Sequence, residues 1–142
     1  MSLLNKLFTR LKTSLVRATG GRLGGQLGSQ SILLLTTTGR RSSQPRTTPL
    51  AYYRDGPRYV VVASNWGKGS HPDWLLNLQR QPRAAIQVGG RSLPVTARQS
   101  VGDEYARLWQ LASQRNPQYL TYQKNTARRI PVVILTPLDK TV

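Results

Sequence analysis

The pairs Asp55-Gly56 and Gly89-Gly90 limit the possible folds of this chain more than any other feature. Each stands between two short runs rich in β-branched and aromatic residues: Thr48–Arg54 and Tyr59–Ala63 around the first, Ala84–Val88 and Arg91–Arg98 around the second. Tight turns of this kind need positive φ, which glycine adopts without steric cost, and they join antiparallel neighbours. Two more apolar runs, Ile32–Thr37 and Arg129–Leu135, bring the expectation to about six strands. Two helices interrupt them. One is expected from about His71 to Gln81, with Pro72 near its start and Pro82 ending it; the other runs from Asp103 to Gln114 with an acidic first turn. The pattern predicts a mainly β (α+β) domain, a small antiparallel barrel with two packed helices.

At 142 residues the chain has the length of one domain with a real core. It has no cysteine, so disulfides, thiolate metal sites and cysteine nucleophiles are excluded. A single histidine, His71, rules out a multi-histidine metal site, and the five acids are too scattered for a carboxylate pair or cage. Any chemistry here is expected to belong to a bound organic cofactor. The net charge of +16, with no acid before Asp55, attracts a polyanion: nucleic acid, anionic lipid or a phosphorylated cofactor.

Residues 1–28 read as a separate piece. Leu4, Leu7, Phe8, Leu11, Leu15 and Ala18 share one helical face of residues 3–18, with Lys6, Arg10 and Arg17 opposite, and a glycine-rich linker follows. Such a helix is too short and charged to span a bilayer. It either lies on an anionic membrane surface or docks on the domain formed by residues 29–142.

Within that domain, Ile32–Leu50 reads ILLLTTTGRRSSQPRTTPL. Arg40, Arg41 and Arg46 thus share one loop with several hydroxyls between two strands. Guanidinium forks bind phosphate or carboxylate oxygens in pairs, and turn N–H groups add a concave anion site. The segment reads as an oxyanion-binding β-turn-β or as a solvated basic hairpin loop. Three more segments carry candidate chemistry. Ser64–Ser70 (SNWGKGS) is a polar loop before a helix; the helix HPDWLLNLQRQP places Asn77 three residues after Trp74; and Tyr119 and Tyr122 share one helical face.

In this order, TTTGRRS…PRTTPL, VVVASNWG…HPDWLLNLQRQP, PQYLTYQ and RRIPVVILTP, the chain closely resembles the deazaflavin-dependent nitroreductase family, from about Ile32 to Pro137. These are small quinone and nitro reductases that use coenzyme F420, an 8-hydroxy-5-deazaflavin. The resemblance implies a split β-barrel and hydride delivery from the reduced deazaflavin to a quinone, enone or nitroaromatic. It assigns Arg40, Arg41, Ser43 and Arg46 to the coenzyme's phosphate and acidic tail. Thr47, Thr48 and Pro49 would line the deazaflavin, with Ala63, Ser64, Asn65 and Lys68 beside the ring and Trp74 and Asn77 as its wall. Ser64, Tyr122 and Tyr119 would face the substrate as donors. The resemblance also implies a monomer or homodimer with a hydrophobic small-molecule acceptor. The intracellular coenzyme and the lack of an export signal imply a cytoplasmic protein, at the inner face of the plasma membrane if residues 3–18 meet lipid.

Four positions depart from the family pattern. Trp66 stands in place of a small residue, Asn65 in place of a basic residue that some nitro-drug-reducing relatives carry, and Asn116 in place of a further tyrosine. Ser43 replaces the more usual glycine, a mild change only if the turn does not need φ > 0. Two rival classes are a non-catalytic split-barrel binder of fatty acid, haem or flavin, and a nucleic-acid binder. The second lacks aromatics interleaved with basic residues along a sheet face, which leaves nucleic acid unexpected as a partner. Flavin mononucleotide is the alternative cofactor, disfavoured by the Arg40-Arg41 doublet and the helix HPDWLLNLQRQP.

Overall fold

A computed structural model of the protein describes residues 26–27 and 30–138, with side chains from residue 31 onward. The expected N-terminal helix at residues 3–18 and most of the glycine linker lie outside the described residues. Eight strands are described: β1 (Gln26–Leu27), β2 (Gln30–Thr38), β3 (Pro45–Ala51), β4 (Tyr53–Asp55), β5 (Arg58–Val62), β6 (Arg83–Val88), β7 (Arg91–Gln99) and β8 (Val132–Pro137). Three α-helices join them: α1 (Asp73–Arg80), α2 (Gly102–Arg115) and α3 (Gln118–Lys124). A single 3-10 turn, Asn65–Gly67, follows β5.

Every strand pairing is antiparallel. The sheet runs β1-β2-β6-β7-β8-β5-β4, with β3 on the second edge of β2, and curls into a split barrel. The strand count exceeds the expected six partly because Thr48–Arg54 is not one strand. β3 pairs with β2 while β4 pairs with β5, so the chain changes partner at Tyr52, whose N–H donates to Ser31 O at 3.0 Å. A single straight strand cannot stay bonded to β2 and also reach β5 across the curl.

The two hairpins close differently. Val88 pairs with Arg91, and both Gly89 and Gly90 have positive φ, as a two-residue type I′ turn demands. At the other, Asp55 pairs with Arg58, so the turn is Gly56-Pro57 and not Asp55-Gly56. Gly56 supplies the positive φ at the first turn position, and proline needs no donor at the second. The last strand also starts later than the apolar run, at Val132, because Pro131 has no N–H for the ladder.

Strand alternation divides the core in two. Tyr59, Val61 and Ala63 of the β5 run and Val133 and Leu135 of β8 face Trp74, Leu75 and Leu78 of α1. Val60, Val62, Val132 and Ile134 point the other way, onto Tyr105, Leu108 and Ala112 of α2 and Tyr119 of α3. β5 and β8 are therefore covered on both faces, which is why they read as unbroken apolar runs instead of alternating ones. Each fully buried Val, Leu or Ile of this kind contributes roughly 1.5–3 kcal/mol. The third helix, α3, was legible only as a helical turn carrying two tyrosines; seven residues after Pro117 are too few for a clear period.

Candidate active site

β2 ends in three buried threonines, Thr36, Thr37 and Thr38, and these begin the site. The Thr36 and Thr47 hydroxyls bond at 2.7 Å, tying β2 to β3. Thr37 Oγ1 accepts from Asn77 Nδ2 at 3.0 Å, and Asn77 Oδ1 in turn accepts from Arg40 N at 3.1 Å and Arg40 Nη1 at 3.0 Å. Arg40 Nη2 completes its fork on Asp73 at 3.2 Å. Asn77 is only 3% exposed, so this odd polar residue on the packed face of α1 is the bolt that fixes Arg40.

The turn from Gly39 to Gln44 is equally constrained. Gly39 N–H donates to Gln44 O and Ser43 N–H to Gly39 O, both at 2.8 Å. A Cβ on Gly39 would lie 2.6 Å from Ser42 Oγ and 3.1 Å from Gln44 O, so any larger residue must displace the Ser42 side chain. Ser43 has φ of 59°: the turn does need the left-handed conformation, and serine there is strained where glycine would not be. Arg41 is exposed, and Arg46 touches only Ser42 Oγ, at 3.4 Å. Neither has a carboxylate partner among the described residues, so both charges stay available to an anion.

On the opposite wall, Asn65, Trp66 and Gly67 have φ of 48°, 60° and 78°, three left-handed residues in succession. The tight turn lets α3 approach: a Cβ on Gly67 would be 3.2 Å from Tyr122 Cα. Asn65 turns its amide back onto Ser70 O at 3.0 Å. Trp66 stands 76% exposed with its ring edge-on to Tyr122, centroids 6.5 Å apart. Tyr53 Oη donates to Tyr119 Oη at 3.1 Å, a bond buried between β4 and α3. Burial raises both phenols above their ordinary pKa, so both remain protonated donors at neutral pH. Tyr119 and Tyr122 share a helix face with centroids 6.5 Å apart.

One guanidinium holds this wall from behind. Arg128 donates from Nε to Lys68 O (3.0 Å), from Nη2 to Ser64 O (2.9 Å) and Ala63 O (3.2 Å), and from Nη1 to His71 Nδ1 (3.1 Å). The adjacent Arg128-Arg129 pair reads in the sequence as surface charge, and nothing there links it to residues about sixty positions earlier.

Between the two walls lies a cavity of about 1300 Å³. Of the site residues expected from the sequence, Arg40, Arg41, Arg46, Thr47, Thr48, Pro49, Ser64, Asn65, Trp74, Asn77, Tyr119 and Tyr122 all line it. Ser43, Ala63 and Lys68 lie outside the lining. Ala63 and Lys68 give carbonyls to Arg128, and Ser43 shapes the arginine turn. His71, Asp73, Asn116 and Gln118 line it as well, without having been singled out as site residues. The arrangement can take an anionic group at the Arg40–Arg46 end and a planar ring along Thr47–Pro49 and Trp74. Hydroxyl donors stand at the Ser64–Tyr122 end. No cluster of metal-ligating side chains occurs among the described residues.

The sequence matches the family described as F420H(2)-dependent quinone reductase over residues 8–137. It is 46% identical to an F420H(2)-dependent quinone reductase of Mycobacterium tuberculosis over 131 residues, 89% of this chain and 88% of that one. The fold is similar to the solved structure of an F420-H2-dependent reductase, FDR-A, at 40% identity with a TM-score of 0.68, covering 73% of this chain and 92% of the other. It is also similar to a chain solved as a domain-swapped dimer, at 37% identity and TM-score 0.69, covering 87% and 98%.

Proposed function

Because the chain belongs to the F420H(2)-dependent quinone reductase family, we propose that its cavity brings reduced coenzyme F420 against a hydrophobic acceptor, with a quinone first and enones or nitroaromatics after it. One observation carries this reading: Arg40, Arg41 and Arg46 line one end of the cavity whose other end holds Ser64, Tyr119 and Tyr122. The coenzyme, when bound, supplies the hydride; the protein needs no nucleophile of its own.

The chain's residues bind, orient and stabilise. Arg41 and Arg46 hold the coenzyme's phosphate and acidic tail, with Arg40 pinned in place by Asn77 and Asp73. Thr47, Thr48 and Pro49 line the ring on one side and Trp74 with Asn77 on the other; Ser43, Ala63, Asn65 and Lys68 act through the backbone of the two turns. Holding two reactants at near-attack distance is worth up to roughly 7–11 kcal/mol of barrier. Ser64 and Tyr122 donate to the oxygen that gains charge on the acceptor, and Tyr119 follows them. Ser64 Oγ makes no hydrogen bond of its own among the described residues, which leaves it free to do so. Residues 3–18, expected as a basic amphipathic helix, either meet anionic lipid or dock on the domain, which is taken as residues 29–142. A homodimer is the assembly we favour, since one relative is solved as a dimer.

The test is a tryptophan-fluorescence titration with coenzyme F420 and, separately, with flavin mononucleotide. Trp66 and Trp74 line the cavity and report on it. Saturable quenching by F420 at micromolar levels or below, weakened at least about tenfold in Arg41→Ala, is expected. Silence to F420 with binding of flavin mononucleotide would replace the cofactor; silence to both would sink the reductase reading.

A further inference from the structure

His71 is a cavity-lining group that the reading above leaves unused. Its Nδ1 lies 3.1 Å from Arg128 Nη1. A guanidinium only donates and keeps its proton at every working pH, so this nitrogen must accept. The ring proton is thereby placed on Nε2. The same guanidinium gives three more of its five N–H donors to the Ala63, Ser64 and Lys68 carbonyls, so its orientation is fixed by four contacts. No carboxylate touches Arg128 among the described residues. Asp73, two residues beyond His71, is engaged by Arg40, and Lys68 offers only its carbonyl here. A positive charge therefore stands unbalanced behind the imidazole and opposes a second one on it. Burial lowers the imidazole's pKa first and Arg128 adds to the effect. His71 lines the cavity and carries its donor on Nε2, the ring nitrogen not engaged by Arg128.

We propose that His71 is a ligand-binding residue whose Nε2–H donates to an oxygen that carries or acquires negative charge, and that Arg128 is the positioning residue that sets it. The proposal rests on the reductase reading for the identity of the ligand: the oxygen belongs to the coenzyme or to the quinone. The tautomer does not depend on that reading.

The chain contains one histidine, so a long-range ¹H–¹⁵N spectrum of the full labelled protein reports this imidazole without ambiguity. In the free protein we expect the Nε2–H tautomer, with titration displaced below the ordinary imidazole value of about 6.5. In Arg128→Gln, titration should move up towards that value, with burial still holding it below, and the pH dependence of turnover should move with it. If that variant does not fold, Arg128→Met, which also removes the charge, supplies the comparison. Coenzyme F420 alone and menadione alone are then added; the one that moves the Nε2 signal owns the oxygen. His71→Phe should weaken that ligand about tenfold. An Nδ1–H tautomer, or ordinary titration in the parent, overturns the proposal. So does saturated binding of both compounds, seen by fluorescence, with unmoved imidazole signals. Binding of neither compound overturns the reductase reading and His71's role as its donor, while leaving the tautomer assignment intact.

Discussion

Asn77 shows how much one side chain can organise. It is almost fully buried, and its amide spans Thr37 on one side and two donors of Arg40 on the other. Replacing it with alanine leaves the buried Thr37 hydroxyl and two half-buried N–H donors of Arg40 without that partner. We expect Asn77→Ala to lose roughly 1–3 kcal/mol of stability and about tenfold in F420 affinity, measured by urea denaturation and by the fluorescence titration. A loss of stability with unchanged affinity would show that Arg40 contributes nothing to the coenzyme. That Asn77 is out of place on an apolar helix face is readable from HPDWLLNLQRQP. Its partners are not, because Thr37 and Arg40 lie about forty residues earlier and only folding brings α1 across the end of β2.

At the scale of elements, the two turns that build the site both store left-handed backbone. A Cβ at Gly39 would crowd the Ser42 hydroxyl and one at Gly67, which has positive φ, would crowd Tyr122, while Ser43, Asn65 and Trp66 adopt positive φ without being glycine. Ser43 is exposed and outside the cavity lining, so its strain can be relieved alone. Ser43→Gly is expected to raise stability by about 0.5–1 kcal/mol, with F420 affinity within about twofold of the parent; denaturation midpoint and titration check the two halves. The hairpins were readable from glycine chemistry, although Gly56-Pro57 rather than Asp55-Gly56 closes the first. Register decides that, and register depends on which side chains of β5 reach the core.

At the scale of the molecule, the fold joins two acids and three arginines into one network. Asp55, on the hairpin, takes Arg58 and, from α2, Arg107; Glu104 on α2 takes Arg58 and Arg98. Hydrogen bonds from Arg107 and then Arg58 hold the Asp55 pKa down at about 2. An unfolded aspartate titrates near about 3.9, so the folded state binds fewer protons between these values. The stabilisation is complete above about pH 5 and is lost as pH falls through about 4 towards about 2. Asp55→Asn should cost on the order of 1–2 kcal/mol at neutral pH, discounted for the solvent reaching the pair, and nothing measurable at about pH 2. Denaturation at both pH values checks this.

What the sequence determined alone is what local chemistry dictates: strands where β-branched residues recur, turns where glycine permits positive φ, a helix start at Pro72, and an excess of cations suited to an anion. The ordered motifs further implied the split barrel and its coenzyme. What only the tertiary structure decided is long-range. The corner at Tyr52, the capture of Arg40 by Asn77, the Tyr53–Tyr119 bond and the grip of Arg128 on Ser64 and His71 join residues 21 to 66 positions apart. Such contacts follow from how the curled sheet closes, and no periodicity within a single segment encodes them.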